Sequence, residues 1–148
     1  MRAGRPLIQT ERELLASFAG AVDLDRIRIY DRGTPFGRLV SALARGAAVA
    51  LGHRIVVSGP VYLPTLAHEL AHVSQYTRWG PARYFLAGFW NQIVLRILLG
   101  RDVYRWQFEP GKLFHQYGME QQGQIVEDCY DVASPRRAHA LLISPFTP

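Results

Sequence analysis

The sequence predicts an α+β fold, mainly helical, with a small sheet. Three observations predict it. Apolar residues recur at helical spacing in several stretches, two short runs alternate charged and apolar residues, and Gly/Pro pairs cut the chain into short elements. Its 148 residues, 49% hydrophobic and 20% charged, suit one compact domain spanning 1–148 with a sizeable core. No internal repeat and no linker divides it.

Thr10 followed by Glu13 reads as a capping box, and Leu14, Leu15 and Phe18 give the first helix its apolar face, ending near Gly20. Residues 26–30 (RIRIY) alternate as a half-buried strand, and 31–35 (DRGTP) form a loop. Residues 36–51 hold Leu39, Val40, Leu43 and several Ala, but Gly37 and Gly46 weaken the helical pattern there. Residues 54–58 (RIVVS) give a second strand, closed by Gly59-Pro60. A helix over about 65–78 follows, with Thr65 as N-cap, and Gly80-Pro81 breaks it. The apolar run 84–100 (YFLAGFWNQIVLRILLG) holds Asn91, Gln92 and Arg96 and falls short of about 20 clean residues. It predicts an amphipathic helix rather than a membrane span, able to line a cleft or meet a hydrophobic partner. Residues 102–108 read as weakly extended, 109–111 as a turn and 119–133 as a helix. Ser134 and Pro135 start a short last helix through Leu142, and Pro145 and Pro148 predict a frayed tail.

Net charge is +5, carried by sixteen Arg and the single Lys112. The arginines are scattered, so a solvated basic surface is expected and no nucleic-acid partner. Cys129 is the sole cysteine, which excludes an intrachain disulfide and a Cys-based zinc site. The first residues, MRAGRPLIQT, lack the apolar region of a signal peptide, and a cytoplasmic location is expected.

His68-Glu69-Leu70-Ala71-His72 carries the chemistry. Residues i and i+4 of a helix lie one above the other, so two imidazoles can reach one ion, with Glu69 beside them to take a proton from a metal-bound water. Leu66, Leu70 and Val73 form a separate apolar stripe that anchors the helix. Two histidines do not complete a catalytic zinc site, which takes a third protein ligand. None follows at short spacing, which leaves Glu109, His115, Glu120, Glu127 and Asp128 as candidates.

The stretches AHELAHVSQY (67–76) and YGMEQQGQIVED (117–128) together resemble the H-E-x-x-H zinc-metallopeptidase domains of bacterial Rhs/Vgr-related proteins. The similarity extends to the H-E-L-T-H domains of contractile-injection-system cargo and toxins, and residues 18–33 (FAGAVDLDRIRIYDRG) resemble the segment preceding the motif there. Ala71 stands where Thr is common, and Gly123 where Ala is common. The resemblance implies a minimal zincin-like, gluzincin-type fold with the sheet next to the motif helix, and Zn²⁺ as cofactor. It places the third ligand at Glu120, with Glu127 as rival. The metal set is then His68, His72 and Glu120, with Glu69 as general base. His115 and Tyr117 are candidate oxyanion donors, and Asp128 or Asp131 are candidates to orient an imidazole. A peptide or protein substrate is expected, with Rhs/Vgr-type secretion proteins as partners and export without a signal peptide. The alternative is a non-catalytic zinc-binding accessory domain of such proteins.

Overall fold

The computed structural model describes residues 4–148. It is mainly helical with one three-stranded sheet, an α+β arrangement. Helix α1 (Gln9–Leu14) begins one residue before the expected cap. The Glu11 carboxylate accepts the Ile8 N–H at 2.9 Å and both Arg5 guanidinium nitrogens at 2.7 and 2.8 Å. Thr10 therefore lies inside the first turn, and Glu13 accepts the Gln9 amide instead of closing a box. A 3₁₀ turn (Ala16–Phe18) carries the chain onward and buries Phe18.

Strand β1 (Arg28–Tyr30) runs parallel to β3 (Arg54–Val56), and β2 (Val49–Leu51) runs antiparallel to β3, giving the order β1-β3-β2. Ile29, Ile55 and Ala50 share one register row and are buried. The strand β2 lies in an alanine-rich stretch with no clear alternation. Its available signal was the Gly52-His53 hairpin turn, where Gly52 adopts φ 66°. Between β1 and β2, α2 (Pro35–Leu43) forms despite Gly37. The Thr34 hydroxyl caps it by accepting the Gly37 N–H at 2.9 Å, and Pro35 occupies the first turn. A Cβ on Gly37 would collide with the Asp31 carbonyl, so this glycine serves close approach rather than helix breaking.

Helix α3 (Leu63–Trp79) starts earlier than Thr65, with Tyr62 as N-cap and Pro64 in the first turn. Gly80 ends it at φ 80°, a conformation open to glycine. Helix α4 (Pro81–Phe89) follows and continues without a break into a π-helical stretch, Trp90–Leu98. Residues 102–113 cross the molecule without pairing as a strand and bury Trp106. Helix α5 (Met119–Tyr130) lies along α3. It stops short of Ala133 because the Asp131 carboxylate accepts the Ala133 N–H at 3.0 Å, a local turn that competes with the helix. Helix α6 (Arg137–Ile143) completes the fold. The tail is docked, not frayed: Phe146 is buried and stacks on Phe18 at 4.2 Å.

One hydrophobic cluster runs from Leu7 to Phe146 and includes Leu66, Leu70 and Val73 of α3 with Ile125 and Val126 of α5. Asp128 ties the irregular segment and α6 to it. Its carboxylate accepts the Trp106 indole N–H at 2.8 Å, the Ser134 hydroxyl at 2.8 Å and the Arg136 Nε–H at 3.0 Å. Asp128→Ala leaves a buried indole N–H without a partner. The expected cost is about 3 kcal/mol, a fall of roughly 6–12 °C in Tm by thermal unfolding.

Candidate metal centre

Helix α3 is buried on more than one side: Leu66, Leu70 and Val73 enter the core, His68, His72 and Gln75 are buried against α5, and Glu69 is buried next to His68. On α5, Glu120, Gly123 and Glu127 recur at i, i+3 and i+7 and form one face. Gly123 sets the approach of the two helices, because a Cβ there would lie 2.7 Å from His68 Nε2. The space a side chain would need at this position is taken by the imidazole.

The structure brings His68, His72 and Glu120 together. His68 Nε2 and His72 Nε2 are 3.1 Å apart, and Glu120 Oε2 lies 3.1 Å from His72 Nε2 and 3.7 Å from His68 Nε2. These values bracket the edge of about 3.3 Å of a tetrahedron with bonds of about 2.0–2.1 Å. All three side chains are buried. Among the described residues they form the single group of this kind, and Glu109 and His115 are not part of it.

The outer ring nitrogens decide what the inner ones can do. His68 Nδ1–H donates to Glu127 Oε2 at 2.9 Å, and His72 Nδ1–H donates to Gln75 Oε1 at 2.8 Å. Gln75 is itself fixed, its amide donating to the Met119 carbonyl and to Gln122 Oε1. In the neutral rings both Nε2 atoms are therefore lone pairs facing each other and a carboxylate oxygen. Such an arrangement calls for a cation between them. Burial disfavours charge on His68 and His72, yet Glu120 beside both rings, joined at His68 by Glu127, outweighs it and raises both pKa values. Burial likewise opposes the Glu120 charge, but the two imidazoles hold that carboxyl well below its usual range. Protons and a metal ion would compete for the same lone pairs.

Glu69 stands beside this group. Burial raises its pKa, and its Oε2 has no hydrogen-bond partner. Glu69, His68, His72 and Glu120 line a cavity of about 550 Å³, walled by Ala47–Leu51 on one side and by Phe85, Phe89 and Tyr104 on others.

Glu127, the rival third ligand, instead orients His68. The orienting roles considered for Asp128 and Asp131 fall to Glu127 and Gln75, since Asp128 serves the Trp106 anchor and Asp131 the turn after α5. Gln75 was findable as the i+3 neighbour of His72. His115 is exposed on a 3₁₀ turn (Phe114–Gln116), and the Tyr117 hydroxyl is engaged by the Gln107 carbonyl and the Glu109 N–H, so neither lines the cavity. Gln92 and Tyr104 do line it. The Gln92 amide donates to Glu120 Oε1 and to the Tyr104 oxygen, each at 2.8 Å. No local pattern connects residues 92, 104 and 120, so the sequence offered no signal for them.

Two substitutions probe these supports. Glu127→Ala should weaken zinc binding about 10- to 100-fold in chelator competition, with the fold intact by circular dichroism. Gly123→Val should displace the His68 imidazole and abolish stoichiometric zinc binding, read by elemental analysis.

No known family profile matches the chain. It is 29% identical over 136 residues to the type VI secretion system spike protein VgrG2b of Pseudomonas aeruginosa, covering 86% of this chain and 13% of that protein. It therefore spans a small part of that relative's length. The solved effector domain of P. aeruginosa VgrG2b superposes with a TM-score of 0.65 at 26% identity, over 94% of this chain and 80% of that one. These similarities relate the chain to the effector domain of a Vgr-type spike protein.

Proposed function

We propose that the chain is a zinc-dependent peptidase domain acting as an effector associated with a type VI secretion spike. The observation that carries this reading is Glu69, a buried carboxylate with an unpartnered oxygen, set beside three converging metal donors in one cavity. The resemblance to the VgrG2b effector domain supports the secretion link.

His68, His72 and Glu120 would hold the ion, and Glu127, Gln75 and Gln92 keep those three donors aimed. Zinc at such a site polarises a carbonyl and lowers the pKa of water toward about 7. Glu69, its proton affinity raised by burial, takes the proton of the attacking water and passes it to the leaving amine. Tyr104 replaces His115 and Tyr117 as oxyanion donor. Its oxygen accepts hydrogen bonds from Gln92 and Arg96, which leaves its own O–H free for a developing charge in the cavity. Strand β2 is an edge strand and lines the same cavity, so an extended peptide can lie along it.

The test is digestion of a broad peptide library by zinc-loaded protein. Cleavage should vanish with a chelator and return with added zinc. Zinc-loaded protein that cuts nothing would favour the accessory-domain reading.

A further inference from the structure

Among the described residues, eight of the seventeen exposed large apolar side chains fall within residues 85–99, on α4, its π-helical continuation and the residue that caps it. Leu86, Phe89, Trp90, Ile97, Leu98 and Leu99 are each more than half exposed. Isolated exposed leucines need no explanation, but a concentration of this size on one helical segment marks a contact surface. Charge identifies the partner. No acidic residue occurs from 70 to 101, while Arg78, Arg83, Arg96 and Arg101 are all exposed. A second copy of the chain would bring four arginines against four arginines. Among the described residues no helix is long and apolar enough to cross a membrane, which leaves a helix lying in the plane of the interface.

We propose that α4 and the π-helical stretch dock the protein on an anionic phospholipid bilayer, with the apolar side chains among the acyl chains and the arginines at the headgroups. Trp90 is the kind of residue that settles at that depth. The same segment supplies Phe85, Phe89, Gln92 and Arg96 to the cavity wall. Docking therefore sets the cavity beside the lipid surface and, resting on the peptidase reading, selects peptide segments held at a bilayer.

Sedimentation with phosphatidylglycerol-containing vesicles and with pure phosphatidylcholine vesicles tests the docking. Glu69→Gln protein is used, so the outcome is independent of hydrolysis. Binding to the anionic vesicles should exceed binding to the neutral ones by at least about tenfold, with a blue shift of tryptophan emission. Leu86→Ser/Leu98→Ser and Arg83→Glu/Arg101→Glu should each lower it by about tenfold or more, with circular dichroism unchanged. The proposal is overturned if anionic vesicles bind no protein. It is equally overturned if the serine pair binds like wild type, since the contact is then purely ionic. A dimer in light scattering that the serine pair dissolves would assign the face to self-association instead.

Discussion

Glu69→Gln is expected to lower kcat/KM by about 10²- to 10⁴-fold while zinc content and Tm stay near wild type. The amide has the shape of the carboxyl but accepts no proton. Burial already disfavours the charged form of Glu69, so a neutral replacement adds little desolvation cost. No hydrogen bond holds its Oε2, so none of the ligand-orienting contacts is lost. Peptide cleavage kinetics together with elemental analysis check both halves. Retained turnover would remove Glu69 from the proposed chemistry, and lost zinc would make it a structural support.

His72→Ala should reduce bound zinc from near-stoichiometric to background. His72 Nε2 is the central donor, 3.1 Å from each of the other two, and the two remaining donors cannot fix a tetrahedral ion. A second consequence follows for stability. Glu120 is buried and relies on His72 for compensation, so the variant leaves a carboxylate without its main partner, at a cost of about 3–5 kcal/mol. Zinc at about 1,000 times its Kd should stabilise the wild type by about 4 kcal/mol, raising Tm by roughly 8–16 °C. The variant should show no such rise. Thermal melts with and without zinc read both effects, and an undiminished zinc response in His72→Ala would contradict the assignment.

The element types were legible where period and punctuation agreed. The i, i+4 histidines, the apolar stripe of Leu66, Leu70 and Val73 and the Gly80-Pro81 break all describe α3. Legibility failed where tertiary contacts overrode local signals. Arg5 draws Glu11 into the cap that Thr10 and Glu13 seemed to offer, and Gly37 sits in a helix because the Asp31 carbonyl passes where a Cβ would be. Phe146 docks on Phe18 from across the chain, which no tail composition reveals. The site divides in the same way. His68, Glu69 and His72 follow from spacing, and the choice of Glu120 over Glu127 came from resemblance. Their division of labour depends on how closely α5 approaches α3, and a Cβ at Gly123 would run into the His68 imidazole. Gln92 and Tyr104 enter from irregular and π-helical backbone with no repeating pattern to read.

The proposed chemistry rests on one divalent ion held jointly by helices α3 and α5. X-ray diffraction from zinc-supplemented crystals, recorded on both sides of the zinc absorption edge, tests for that ion. A single strong anomalous peak is expected about 2 Å from His68 Nε2, His72 Nε2 and a Glu120 oxygen, present only above the edge. Crystals with no peak among these three atoms, at full zinc supplementation, would contradict it.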